Sequence, residues 1–246
     1  MEKGNRNKAY EALSKSADTL LAEDRYEVGQ DVYGLIFVSP VTSPSFIFAF
    51  IVVGVKFSLF GFLILDLYNK ATEVNALFSK KGTLIRATQF LLLPIAIALQ
   101  EDLIYVYTRI ANIKYSSEIL EETPSATKSK FALSFLLRLM DGIASLTINF
   151  ILILTTDEVL DLFLNFAALH FLQGIDDVAF QMAHEGFLGD RMEDRCRVVE
   201  ETTMSRRIGD SFTNALDSIL FMLTYACMIG VWTYVFIYEQ EIGDEL

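Results

Sequence analysis

The run from Phe46 to Leu65 limits the folds open to this chain more than any other feature. It holds about twenty residues and a single charge, Lys56. At about 1.5 Å of rise per residue, a helix of that length matches a hydrocarbon layer about 30 Å thick. Three more runs have the same character. Leu84 to Tyr107 carries Pro94 inside it and Glu101-Asp102 near its far end, Phe131 to Thr155 follows, and Ser218 to Tyr238 holds no ionised residue. Proline is tolerated in a membrane helix because neighbouring groups satisfy the carbonyl it frees, so Pro94 does not remove the second run. The reading is an all-α integral membrane helical bundle, with four transmembrane helices and an amphipathic interfacial helix.

The spans are expected near residues 46–68, 84–107, 131–155 and 212–238, within a membrane domain covering 45–246. Residues 1–44 read as a polar N-terminal segment. An amphipathic helix over 7–24 carries Tyr10, Leu13, Ala17, Leu20 and Leu21 at helical spacing, and a linker with Pro40 and Pro44 follows. Four spans would put both termini on one side. Tyr105, Tyr107, Trp232 and Tyr238 would then form an interfacial belt there.

The least ordinary segment is 157–189. Its first half, 159–172, is apolar but too short to cross alone. In its second half His170, Gln173, Asp177, Gln181 and His184 recur at steps of three and four and share a face. Phe171, Ile175, Val178, Ala179 and Met182 take the opposite face, and Gly186 and Gly189 end the helix. This pattern suits a helix lying at the interface or re-entering the bundle, with a fifth span as the alternative.

Ionisable groups inside spans are the most informative residues, because each costs roughly 2.5–3.5 kcal/mol at a helix centre and needs a partner or water. In the third span Ser134, Arg138, Asp141, Ser145 and Asn149 fall on one stripe beside Gly142. Arg86, Gln89 and Gln100 share a face of the second, and Asp210, Asn214, Asp217 and Thr224 share one of the last. Lys56 and Asp141 fall at similar depth, which predicts a buried pair, with Arg138 meeting Glu101 or Asp102. Gly54, Ser58 and Gly61 form a small-residue stripe opposite Lys56, fit for close helix packing or for contact between copies.

Composition excludes several classes. A net charge of -12 leaves no basic footprint for nucleic acid. Two cysteines give neither a disulfide framework nor a metal-binding spacing. The Asp176-Asp177 and His184-Glu185 pairs read as a solvated helix face. Asp177 and His184 are seven residues apart, about 10 Å along a helix, too far for one metal ion. No nucleophile elbow, zinc-protease motif or phosphate-binding loop is present. The sequence therefore implies no catalytic residues, no metal and no cofactor. The terminal Gly-Asp-Glu-Leu approaches an endoplasmic reticulum retrieval signal but lacks its basic first residue.

Two stretches are familiar. One is Asn165-Phe166-Ala167-Ala168-Leu169-His170-Phe171 with Asp176-Asp177-Val178-Ala179-Phe180 and Gly186-Phe187-Leu188-Gly189. The other is Leu92-Leu93-Pro94-Ile95-Ala96 leading into Gln100-Glu101-Asp102-Leu103. Over roughly residues 85–190 the chain resembles an uncharacterised group of multi-pass membrane proteins from unicellular algae. That resemblance implies a eukaryotic membrane location and places the amphipathic segment in the membrane domain, and it implies no activity. The functional expectation is a non-catalytic scaffold or assembly component in the lipid bilayer, as a homo-oligomer or with other membrane proteins. The alternative is a channel or transporter for an ion or small solute, using the polar bundle interior.

Overall fold

The fold was obtained as a computed structural model, which describes residues 25–74, 81–113, 115–116, 118–205 and 211–245. The expected helix over 7–24 and Asp210 lie outside the described residues, as do the side chain of Asn214 and those of the Gly-Asp-Glu-Leu tail.

A short strand β1 (Arg25–Glu27) precedes α1 (Val32–Val38) and the long α2 (Pro44–Val74). Next come α3 (Thr83–Ala98), α4 (Glu101–Asn112), the single turn α5 (Ile119–Glu122) and α6 (Lys128–Thr155). The chain continues through α7 (Val159–Gln173), α8 (Ile175–His184), α9 (Asp190–Glu201), β2 (Thr203–Ser205) and α10 (Ser211–Glu245). Strands β1 and β2 pair antiparallel with Tyr26 opposite Met204, which ties the start of the described chain to the entry of α10.

Four helical stretches are long and apolar enough to cross a membrane: Pro44–Asn69, Lys128–Thr155, Val159–His184 and Ala215–Glu239. Three of them fall on expected spans. The fourth is the segment expected to lie flat or re-enter. The expected second span is instead a bent pair, α3 and α4, which meet at 54°. The break does not fall at Pro94, which stays inside α3. It falls at Gln100, whose ψ of 79° leaves the helical region, after the Leu99 and Gln100 amides close the last turn on Ile95 and Ile97. Glu101 and Asp102 then occupy the first turn of α4, where carboxylates favour a helix start.

Contacts between elements give each helix a direction. At one end, here the near end, Lys130 on α6 donates to the Ser39 carbonyl at 2.6 Å, and His184 on α8 sits 3.2 Å from Glu200 on α9. At the far end the Lys81 ammonium donates to the Leu154 and Thr156 carbonyls at the close of α6, and the Lys81 amide meets Glu239 of α10 at 2.6 Å. Helices α2, α6 and α10 run from near to far, while α3–α4 and α7–α8 run back. The β1 strand and the close of α10 therefore lie at opposite ends, not on one side. The expected aromatic belt divides accordingly: Tyr105 accepts the Gly29 amide at the near end, and Trp232 packs on Phe90 toward the far end.

Most of the long helices' apolar surface is uncovered by the chain itself. Phe62, Leu91, Phe171, Leu223 and Tyr234 are all more than half exposed. Gly54 and Gly61 also face outward, with nothing near the space a side chain would take, so the small-residue stripe packs against no helix among the described residues. The stretch read as linker differs in the other direction. Every residue of α1 is buried. Two of its carbonyls and that of its cap, Ser39, have α6 or pre-α6 partners: Ser134 donates to Tyr33 at 2.8 Å, Lys130 to Ser39, and Ser125 to Val38. The bonds to Val38 and Ser39 satisfy carbonyls that the end of a short helix cannot pair internally.

Candidate functional site

Lys56, near the middle of α2, is 1% exposed and is enclosed by carboxylates from three other helices. Its ammonium lies 2.5 Å from Asp141 Oδ2 on α6, 2.6 Å from Asp176 Oδ1 on α8 and 3.6 Å from Asp102 Oδ2 on α4. One oxygen from each of the three acids falls within 4.8 Å of the others. The Tyr33 phenol of α1 donates to Asp141 Oδ2 at 2.6 Å. Burial and the neighbouring charges of Asp141, Asp102 and Asp176 raise the Tyr33 phenol above its ordinary value, so it stays a neutral donor.

Arg138, one turn before Asp141 on α6, builds a second layer. It pairs with Asp31 and stands 3.9 Å from Asp102. Its guanidinium lies over the Tyr105 ring at 3.7 Å and the Tyr33 ring at 5.1 Å, favourable to a cation through the negative faces of the aromatics. Asp31 serves twice, since Oδ1 caps α1 by accepting the Gly34 amide at 2.8 Å while Oδ2 takes Arg138. Gly29 has to be small, because a methyl group there would meet both terminal nitrogens of Arg138 at 2.7 Å. Gly142 plays the same part between helices: a methyl group would come within 2.8 Å of the Leu103 backbone, so its absence lets α4 approach α6 at the break.

A cavity of about 310 Å³ opens beside this cluster, reached by Asp31, Asp102, Arg138, Asp141, Ser145 and Gln173 among others. One of its walls is the break at Leu99 and Gln100 between α3 and α4, and another is Gly174, where α7 passes into α8 within one span-length stretch. Gln173 donates to Gln100 at 2.9 Å and also to Ser145, linking the α3–α4 break and the α7–α8 junction to α6. Among the described residues no donor reaches Asp141 Oδ1 and no acceptor reaches Gln100 Nε2.

The polar line of α6 continues beyond the cavity through buried Asn149. Near the far end Gln89 donates to the Ile153 carbonyl at 2.6 Å and accepts from Arg86 at 2.9 Å, and Arg86 pairs with Glu239. Polar groups thus follow α6 from the near-end Lys130 to the Lys81 cap.

The sequence-derived residues divide as follows. Lys56, Asp102, Arg138, Asp141 and Ser145 meet at the site, and exposed Glu101 lines the cavity. Arg138 reaches Asp102 and not Glu101, with Asp31 as its nearer partner. Asp217 does not join; it bonds its neighbour Ser218 and lines a separate groove with Ile104 and Thr108. Of the expected polar face, His170, Gln173 and Asp177 line the cavity, His184 meets Glu200, and Gln181 is exposed. Asp176, read as part of a solvated face, is 2% exposed and holds Lys56. Tyr33 and Asp31, in the segment read as polar, were missed. The Asp–x–x–Gly spacing of a capped helix start was the one available signal.

Comparison of the chain with known protein families, with curated proteins and with solved structures finds no match in any of the three.

Proposed function

We propose that this protein is a multi-pass membrane protein that moves an ion or small solute across the bilayer through its polar interior. The observation that carries this reading is an acidic cavity at the break between α3 and α4, lined by the buried Asp141. Continuous helices satisfy their own backbone in hydrocarbon, and a break at that depth is tolerated only where it is buried in protein or lines a water-filled cavity. Secondary transporters place substrate and ion sites at such discontinuities near the bilayer midplane. Here the Gln100 break faces the same cavity as Asp141, which stands at the midpoint of the 28-residue α6.

The same arrangement supports placement in a membrane. Lys56, Arg86, Gln89, Arg138 and Asp141 are buried within the bundle, while large apolar side chains on α2, α3, α7 and α10 face out, as a lipid surround favours. A lipid environment covers those residues without a partner protein.

The scaffold reading accounts for the charges less well. A structural network would balance its acids and cations, whereas among the described residues this one holds more carboxylates than cations and leaves Asp141 Oδ1 without a donor. Proteoliposomes carrying the purified protein test the point. Flux of protons, monovalent ions or divalent ions is expected in the wild type and is lost in Asp141→Asn. Correctly inserted, folded protein that passes none of these species removes the transport reading and returns the bundle to a scaffold role.

A further inference from the structure

The transported or bound species can be named more closely from the charge and oxygen content of the cavity, an inference that rests on the transport reading. Asp31, Asp102, Asp141 and Asp176 contribute four carboxylates to the connected cluster, and Lys56 and Arg138 contribute two cations. Two negative charges are therefore uncompensated when the acids are ionised. Asp177 and Glu101 at the rim add to the excess. Arg109 subtracts from it, but lies beyond the Tyr105 ring at 4.4 Å and donates to the Glu27 carbonyl, outside the cavity.

The excess is not spread evenly. Asp31 is committed on both oxygens, to Gly34 and Arg138. Asp176 holds Lys56 at 2.6 Å and does not line the cavity. Asp141 gives Oδ2 to both Lys56 and Tyr33 and keeps Oδ1 without a partner, in a residue only 1% exposed that lines the cavity. Asp102 is the loosest of the four, with cations no nearer than 3.6 and 3.9 Å and a side chain 21% exposed toward the same space. The Asp102 and Asp141 carboxylates stand together, with an oxygen of each within 4.8 Å of the other, and Ser145 lies on the next turn of α6.

We propose that this cavity binds one divalent metal cation through Asp102 and Oδ1 of Asp141, with Asp177 at the rim as its entry group. Two uncompensated charges match a divalent ion. The donors are hard oxygens with no thiolate among them, and the one imidazole, His170, is turned to Gln173 at 3.4 Å. That set favours magnesium, calcium or manganese over softer metals. Lys56 has a defined part in the arrangement: its tethered ammonium holds Asp141 and Asp176 at the inner side, so the carboxylates stay assembled as the ion enters and leaves.

The test uses Mn2+ as a spectroscopic probe, with free and bound ion distinguished by electron paramagnetic resonance on the full chain in detergent. Wild-type protein is expected to show one saturable site and a rise in its melting temperature with added Mn2+. Asp102→Asn is expected to weaken binding at least tenfold and to remove that rise. Asp102 is held at long distances, so its variant keeps the fold, which its melting temperature without metal verifies. Asp217→Asn, in its separate groove, is expected to bind as wild type does. Absence of a saturable Mn2+ site, or equal affinity in the wild type and Asp102→Asn, overturns the proposal. Proton or monovalent-ion flux without Mn2+ binding overturns it too while sparing the transport reading. Asp102-dependent binding without flux of any ion supports the metal site and removes the transport reading.

Discussion

Replacing Lys56 by methionine keeps the length of the side chain and deletes the charge at the centre of the acidic cluster. At an effective dielectric constant near 20, the 2.5 Å contact with Asp141 is worth about 7 kcal/mol before desolvation, and that with Asp176 is similar. The 3.6 Å contact with Asp102 adds about 5 kcal/mol on the same scale. Desolvation of the ammonium offsets most of this in the intact protein, so the sum is not the stability change. The relevant quantity is the cost of leaving buried carboxylates without their cation, about 3–5 kcal/mol for a broken buried pair. For a chain of this size, that loss lowers the melting temperature by about 6–20 °C. Thermal unfolding in detergent, followed by the fluorescence of Trp232, reads the shift. The double variant Lys56→Met with Asp141→Asn supplies the sharper comparison, because it removes one of the stranded charges. The double variant is expected to be more stable than Lys56→Met alone, with a coupling energy at the upper end of the usual range, about 2–3 kcal/mol. If Lys56→Met melts with the wild type, or if the double variant is no better than the single, the ammonium does not hold the carboxylates together.

Two further outcomes follow from packing and burial. Gly142→Ala drives a methyl group against Leu103 at the junction of α4 and α6, and is expected to cost about 1–3 kcal/mol, read as a lowered melting temperature. An unchanged value would mean that the helices do not touch there. Cys196 is fully buried in α9, and burial, aided by Glu200 and Glu193, pushes its thiol up to about 12, whereas Cys227 on α10 is exposed. A maleimide is therefore expected to modify Cys227 in detergent and to reach Cys196 only on unfolding; mass spectrometry of the native reaction checks this, and prompt labelling at Cys196 would contradict its placement.

The sequence was most legible where apolar length and polar spacing act locally. The runs around Lys56, Asp141 and Val231 each exceed the hydrocarbon thickness, and they appear as α2, α6 and α10. The step of three and four from Arg138 to Asn149 fixes one face of one helix, and depth alone brings Lys56 to Asp141. The parts that were not legible depend on tertiary partners. Residues 159–184 combine a short apolar run with an amphipathic one, and the same pattern serves an interfacial helix whose polar side faces water or a crossing helix whose polar side faces a cavity. Asp176 shows the difference, since only Lys56 on α2 turns it from a solvated acid into a buried one. The Gln100 break is similar: Pro94 is the residue that advertises a kink, yet the backbone bends where Glu101 and Asp102 can start a new helix. Helix α1 has too few residues to show periodicity, and its burial comes from packing against α2, α6, α8 and α9, which lie far from it in sequence or fold back on it.

Cysteine accessibility in the bilayer tests the central claim, that the polar line of α6 faces a water-filled path and its apolar line faces lipid. Ser145 lines the cavity, while Ile143, two residues before it, is 51% exposed on the outer surface. In a background with Cys196 and Cys227 replaced by alanine, a charged, membrane-impermeant methanethiosulfonate is expected to modify Ser145→Cys from one side of the membrane and to leave Ile143→Cys untouched. Modification of Ile143→Cys with an inert Ser145→Cys would contradict the account, because it would place water outside the bundle and a dry core within.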